Sequence, residues 1–279
     1  PARTAGGRHQ RMRDQPGATR TVGRLTWSSG DITEDRDEVV RECPVALVYN
    51  GVSHVVMMVT PVDLEDFALG FSLSEGILGG PEQLLDLDIC EHHRGLELQM
   101  RITAQAFAAL KQRRRNLVGR TGCGLCGAES LDQAIPEPAQ VAPGGHYTHA
   151  AIQRALSGLR SAQHLQPVTG SVHAAAFADT SGQLLLLRED VGRHNALDKV
   201  LGALVRDGHS RAGLALVTSR ASYEMVAKTA SAGIPLLAAM SAPTSLAIDQ
   251  AERSGITLLG YVGEGRQVVY THRGRIAGK

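Results

Sequence analysis

Hydrophobic and polar positions along the chain change period several times, and each change marks an element. The stretch "CPVALVYNGVSHVVMMVT" from Cys43 holds two β-rich runs around Asn50-Gly51, a pair that tolerates positive φ, so it predicts a tight hairpin. In "PVDLEDFALGFSLSEGIL", Leu64, Phe67, Ala68 and Phe71 recur at helical spacing behind Asp63, a candidate N-cap. "GLELQMRIT" alternates like a strand and "AQAFAALKQ" reads as a short helix, closing a small α+β domain over 25–118. An irregular bridge over 119–148 contains "CGLCG" and "QAIPEPAQVAPGG"; structureless segments of this length are usually functional or linkers. Beyond it, "SVHAAAFA" and "QLLLLRED" read as a hairpin. A helix over 194–206 follows, with Ala196, Leu197, Val200, Leu201, Leu204 and Val205 on its apolar face. Then come strand "GLALVTS", a helix from Ser222, strand "IPLLAAM", a helix from Thr244 and strand "ITLLGYV". That alternation predicts an α/β domain over 149–279, its largely parallel sheet covered by helices.

Composition narrows the class. Lys and Arg total 29 against 28 Asp and Glu in 279 residues, so no global field points to nucleic acid or to a membrane surface. No apolar run approaches the ~20 residues of a membrane span, and the start lacks the apolar core of a secretory signal, which reads as cytoplasmic. Residues 1–24 carry six Arg and one Asp with few large apolar residues, and a disordered basic tail is expected there. Four cysteines in so long a chain, two of them close together, suit reduced, chemically used thiols better than a secreted disulfide framework.

In open α/β sheets ligands gather beyond the carboxyl ends of strands, where helix N-termini present free N–H groups. Four loops meet that description: "REDVGRHN", "SRAS", "SAPTS" and "GYVGEGR". They supply Arg193, Arg220 and Arg266 with the hydroxyls of Ser219, Ser222, Ser241 and Thr244, a set suited to phosphate. Each loop alone would also serve as a cap or a turn; four on one edge predict a nucleotide-sized ligand.

"CPVALVYNG", "DLEDFALGFSLSEGIL", "CGLCG", "VHAAAF", "REDVGRHNALDKVLG", "SRASYEMVAKTASAGIP" and "SAPTSLAI" together resemble the FdhD family, the formate dehydrogenase accessory sulfurtransferases, from Cys43 to His272. The resemblance implies a sulfur carrier. It would take sulfane sulfur from a cysteine desulfurase and deliver it to the molybdenum cofactor, bis-molybdopterin guanine dinucleotide, before insertion into the formate dehydrogenase catalytic subunit. It also implies a cytidine-deaminase-like three-layer α/β/α domain beside the smaller N-terminal one, and cofactor contacts from Gly260, Tyr261, Val262, Gly263, Glu264, Gly265 and Arg266. The edge loops add Ser219, Arg220, Arg193 and His194 as candidate cofactor contacts. His173 reads equally as a core histidine or a ligand, and Asp190 as a partner of Arg193 or a helix cap. A homodimer is compatible with the sequence.

The cysteine pair can then be weighed. Structural zinc would need more ligands, yet Cys43 and Cys90 are isolated, and His92-His93 lies on a polar segment. A thioredoxin-like couple would open a helix straight after a strand, whereas this pair sits in a glycine-rich bridge. Sulfur transfer asks for a thiolate with reach: Arg113, Arg114, Arg115 and Arg120 favour the charge, and Gly119, Gly122, Gly124 and Gly127 the mobility. Cys123 is the candidate carrier and Cys126 its auxiliary; the resemblance assigns the persulfide to the same first cysteine, although Thr121-Gly122 stands where the family often has Ser before the pair. A zinc deaminase needs a His or Cys ligand, a nearby Glu and two cysteines at successive helix starts. Here those starts read "HNA" and "SRASYE", so no resident metal is expected. Three readings stay open: a sulfur-carrying transferase, a zinc-dependent deaminase-type hydrolase, and a nucleotide-cofactor-binding chaperone with incidental thiols.

Overall fold

The computed structural model describes residues 17–117 and 137–277; Cys123 and Cys126 lie outside them. The first described element departs from the expected tail. Strands β1 (Thr19–Ser28) and β2 (Asp31–Val40) pair antiparallel as a two-stranded ribbon, so order begins inside the stretch assigned to disorder. Its cohesion is polar. Ser29 and Gly30 take positive φ at the turn, and Arg24 bonds Asp35 and Asp37 across the strands at 2.7 Å each. Leu25, Trp27 and Ile32 stay exposed.

A second sheet follows the ribbon. Strands β3 (Cys43–Tyr49), β4 (Val52–Val59), β5 (Leu84–His92) and β6 (Gly95–Ile102) form a sheet of order β4-β3-β6-β5. Asn50 and Gly51 make the hairpin turn with positive φ, as their residue types require. Helices α1 (Leu64–Ser74) and α2 (Ala104–Leu117) cover one face, burying Leu64, Phe67, Ala68 and Phe71 against Val45, Leu47 and Leu98. Asp63 holds the N-cap position of α1 but in a left-handed conformation and without a side-chain cap bond. Its carboxylate lies 3.6 Å from Arg188 instead.

The second unit begins earlier than 149. Val141 is already in its core, and Tyr147, fully buried, donates its hydroxyl to the Gly213 carbonyl at 2.7 Å. Tyr147 belongs to the short strand β7 (Tyr147–Thr148), which helix α3 (His149–Ala162) and the single turn α4 (Gln166–Thr169) follow. Next come β8 (His173–Asp179), β9 (Leu184–Asp190), α5 (Arg193–Arg206), β10 (Gly213–Val217), α6 (Tyr223–Ser231), β11 (Leu236–Ala239), α7 (Ser245–Ser254), β12 (Thr257–Gly263) and β13 (Arg266–Val269). A last short strand, β14 (Ile276–Ala277), pairs with β7. The main sheet has order β13-β12-β11-β10-β8-β9. Only β10/β11 and β11/β12 are parallel, so the expected largely parallel sheet is mixed: the β8–β9 and β12–β13 hairpins give it antiparallel edges. Helices α5, α6 and α7 pack on one face and α3 on the other, giving two apolar cores.

The units are joined where α1 crosses α5. A Cβ on Gly70 would lie 1.7 Å from the Asp198 carbonyl oxygen, and one on Gly202 would lie 1.9 Å from that of Asp66. Backbones touch there, so neither position has room for a side chain. Charged groups fill the rest of the joint. Asp190 and Lys199, both fully buried, pair at 2.7 Å. Lys199 also donates to the Thr60 carbonyl, Asp190 accepts from the Thr60 N–H, and Asn195 reaches the Met58 carbonyl. Asp66 takes Arg188 at 2.8 Å and also Arg206. Lys228 donates to Asp198, Glu75 and Ser74 within 3.0 Å. Burial pulls Lys228 down, but Asp198 and Glu75 outweigh it and hold the ammonium above its ordinary range. Low dielectric makes an unmet charge costly, and these partners meet it.

Candidate functional site

The carboxyl ends of β10 and β11 share one edge of the sheet. Because β8 runs antiparallel to β10, its first residue, His173, stands at that edge too. Local bonds fix the loops. The Ala174 N–H donates to Thr218 Oγ1 at 2.9 Å, the Met240 N–H to the Val217 carbonyl at 3.0 Å, and the Thr244 N–H to the Ala221 carbonyl at 3.0 Å. Between them lies a cavity of about 480 Å³ walled by His173, Arg193, Thr218, Ser219, Arg220 and the loop Ser241–Thr244. Thus three of four expected loops converge. Helices α6 and α7 start beside it, Thr244 capping α7 through the Ala247 N–H at 3.3 Å. Ser222 Oγ, at the start of α6, and the Nε of Arg193 are buried with no hydrogen-bond partner.

The fourth loop joins only at its root. Gly260 abuts it, since a Cβ there would fall 2.7 Å from Pro243 Cδ, and the Tyr261 N–H donates to the Ser241 carbonyl at 3.2 Å. Tyr261 has φ of 52°, unusual for a non-glycine residue, within a bulge between Gly260 and Gly263, and it is exposed. Val262 is buried in the α3-side core. Glu264 and Gly265 form the turn, anchored by Gln153 accepting the Gly265 N–H at 2.9 Å. Arg266 stacks over the Tyr261 ring at 5.4 Å and is not part of the cavity wall. A short hairpin carries it past the edge.

His194 also departs from expectation. It pairs with Glu224 at 3.0 Å rather than lining the cavity. Burial holds its pKa below the ordinary value and Arg193 adds to this, while Glu224 opposes it. His173 does line the cavity, and burial, then Arg193, keeps its pKa low. Asp190 neither binds there nor holds Arg193. Its Oδ1 accepts from the Gly192 N–H and from Asn195 at the start of α5, which leaves Oδ2 for Lys199. Most of "REDVGRHNALDK" therefore serves the joint. The available signal was three polar residues, Asn195, Asp198 and Lys199, on one otherwise apolar face of α5, just after Asp190 at the end of β9.

A larger cavity, about 740 Å³, lies elsewhere, at the foot of the ribbon around Arg20, Arg41, Glu42, Cys43 and Glu91. Its wall mixes arginines with carboxylates, and burial pushes the Cys43 thiol up, away from thiolate. Among the described residues no three His, Cys, Asp or Glu side chains are grouped to hold a metal ion, and no helix is long and apolar enough to cross a membrane. On the far side of the joint, Arg113 of α2 donates to the Glu75 carbonyl at 3.2 Å, so the helix leading into the CxxC segment runs beside the Lys228 cluster.

Comparison with known proteins agrees with this architecture. A sequence profile of the FdhD/NarQ family matches residues 40–277. The chain is 51% identical over 263 residues to "Sulfur carrier protein FdhD" of Cupriavidus necator, covering 94% of this chain and 91% of that protein. It is 50% identical to the protein of the same name from Xanthomonas campestris pv. campestris, covering 94% and 93%. Among solved structures it is similar to a protein from Desulfotalea psychrophila described as a formate dehydrogenase accessory protein, with TM-score 0.73, 26% identity, and coverage of 93% of this chain and 100% of that one. A match that spans both units and every edge loop is decisive: the chain belongs to the FdhD/NarQ family.

Proposed function

We propose that this protein is a sulfur carrier for formate dehydrogenase maturation, loading sulfane sulfur on Cys123 and presenting it to a guanine-dinucleotide molybdenum cofactor held at the sheet edge. In loading, the Cys123 thiolate attacks the outer sulfur of a desulfurase persulfide. The new S–S bond forms as the donor's breaks, and the donor leaves as thiolate. Cys126 is the auxiliary thiol. The cofactor is cargo, and its phosphates suit Arg193, Arg220 and the helix starts at Ser222 and Thr244. The observation carrying this reading is that cavity, with its unpartnered Arg193 Nε, in a chain half identical to proteins named as sulfur carriers. Tyr261 and Arg266 form an outer rim that larger parts of the cofactor reach. We read the α/β/α sandwich as deaminase-like, with Asn195 and Ser222 at helix starts where such a fold would hold zinc and its acid/base. That favours binding over hydrolysis. The partners in this reading are a cysteine desulfurase, the formate dehydrogenase catalytic subunit and a second copy of the chain.

Mass spectrometry tests it. After incubation with a cysteine desulfurase and cysteine, the Cys123 peptide should gain one sulfur, about 32 Da. Cys123→Ala should abolish the gain and Cys126→Ala should retain some of it. An undiminished adduct in Cys123→Ala would overturn the assignment.

A further inference from the structure

The ribbon of β1 and β2 has two unlike faces. In its register Trp27 stands opposite Ile32, Leu25 opposite Glu34 and Arg24 opposite Asp35. Opposed residues point the same way and neighbours along a strand alternate, so Leu25, Trp27 and Ile32 gather on one face near the turn, while Arg24 with Asp35 and Asp37 holds the other. Among the described residues Trp27, 75% exposed, is the barest large apolar side chain, and Leu25 and Ile32 are 65% and 55% exposed. The ribbon closes through its charges and does not need these three in water. Clustered exposed apolar residues with an aromatic at their centre mark a contact surface.

The root of the ribbon is fixed beside the cargo edge. β2 runs against α4, and the Arg41 side chain donates to the Thr19 carbonyl at 3.0 Å. The turn α4 is itself pinned, because buried Glu189 of β9 accepts the N–H groups of His164 and Leu165 at 2.8 Å and of Gln166 at 2.9 Å. Gln166 walls a hollow of about 450 Å³ that shares His173 and Thr218 with the arginine-lined cavity. The ribbon therefore rises from a fixed base at the side where a protein receiving the cargo approaches.

Charge and size select the occupant. The two strands hold five acidic residues against three arginines, and Arg24 is already taken by Asp35 and Asp37. That sign repels the cofactor's own phosphates. A protein that takes up a polyanionic cofactor lines its entrance with cations, and such a rim is attracted to the ribbon. A second copy seated on this face would bring acid against acid. The three apolar side chains present on the order of 400 Å², half of the ~800 Å² that each partner gives a stable interface, which matches a passing contact and not a permanent dimer.

We propose that this face, Leu25, Trp27 and Ile32 with Glu34 beside them, is the transient docking site for the enzyme that accepts the cofactor, which meets it with an apolar hollow set among cationic side chains. This rests on the function proposed above and adds the surface by which the acceptor is engaged.

Biolayer interferometry on the full chain reads binding to the cofactor-free formate dehydrogenase catalytic subunit and to a cysteine desulfurase, and sedimentation reads self-association. Trp27→Thr and Ile32→Thr keep strand propensity while removing the apolar face; Glu34→Lys keeps that face and reverses the charge beside it. Trp27→Thr should weaken acceptor binding at least about tenfold, as loss of an aromatic anchor does. Ile32→Thr should cost less, and Glu34→Lys should cost severalfold, with its deficit shrinking as salt is raised. Sulfur loading on Cys123, GDP affinity and sedimentation should match wild type in all three. Acceptor affinity unchanged in both Trp27→Thr and Glu34→Lys overturns the site. Lost desulfurase binding in Trp27→Thr assigns the face to the sulfur donor, and a dimer that becomes a monomer assigns it to a second copy; either result overturns the proposal. A wild type that loads sulfur and binds GDP but not the acceptor overturns the docking site alone. Failure to load sulfur or to bind GDP, with acceptor binding that still depends on Trp27, overturns the function and leaves the docking site standing.

Discussion

Two polar regions meet at the start of helix α5, and they are built by opposite rules. In the joint between the units, Asp190, Lys199, Asp66, Asp198 and Lys228 are buried, yet each finds charged or hydrogen-bonding partners. At the sheet edge, a few residues away, the Nε of Arg193 and the Oγ of Ser222 are buried without partners. Chain order does not separate them, because "REDVGRHNALDK" feeds both. Ion pairing does: the joint's buried charges close on one another, whereas the Arg193 and Ser222 atoms at the edge, the first in a cavity wall, have no partner in the fold.

Breaking the joint should give the largest effect. Lys199→Met leaves Asp190 buried without its cation, and removing one partner of a buried pair costs about 3–5 kcal/mol. The melting temperature should fall by on the order of 10 °C. Asp190→Asn in the same background should cost less than the sum of the two single changes, because the second change relieves the orphaned charge. GDP affinity at a temperature where the variant is folded should stay within about threefold of wild type. A melting temperature that does not move would mean that the pair adds nothing over an apolar contact.

The edge should respond the other way. Arg220 is exposed, so Arg220→Ala should shift stability by no more than about 0.5 kcal/mol. It should weaken GDP binding roughly ten- to a hundredfold, the loss of one charge-assisted contact. Arg266→Ala should cost less, since that guanidinium lies on the Tyr261 ring and outside the cavity wall. Isothermal titration beside thermal melts reads both quantities. Equal GDP affinity in wild type and Arg220→Ala would place the phosphates elsewhere.

Legibility in the sequence followed the range of the interactions involved. Period-2 and period-3.6 patterns are local, so the β3–β4 hairpin with its Asn50-Gly51 turn, the stripe of α1 and the alternation from β8 to β12 were readable. The ribbon Thr19–Val40 was not. Its strands are joined by cross-strand charges such as Arg24 with Asp35, and exposed charges look like tail composition. The joint was hidden for a different reason: Thr60 and Asp190 are 130 positions apart, and no local pattern announces such a pairing. At the edge, the residue types of Ser219, Arg220 and Arg193 were enough because each sits directly after a strand. His194 and Arg266 were assigned by the same adjacency, but helix phase turns the first toward Glu224 and a tight hairpin carries the second past the edge.

The smallest expected effect separates the two regions by pH. His173 and His194 both sit below the ordinary value near 6.5, chiefly through burial, with Arg193 pushing the same way at each. Asp190 faces the first, and Glu224, Lys228 and Glu75 face the second. The unfolded chain therefore binds more protons than the folded one between the depressed folded values and 6.5. Stability rises with pH wherever that holds, so this contribution is complete above pH 6.5 and is lost as pH falls through the window below it. His173→Gln and His194→Gln should each flatten the fall in melting temperature on acidification. Only His173 stands in the cavity wall, so only its protonation should add positive charge beside a bound anion and tighten anion binding as the protein becomes less stable. Pyrophosphate titrations at about pH 7.5 and 5.5, taken as wild type minus variant, isolate that gain from the ligand's own titration. A pH-linked gain lost equally in both variants would mean that His194 also reaches the anion, and that the division between joint and edge runs on the other side of Arg193.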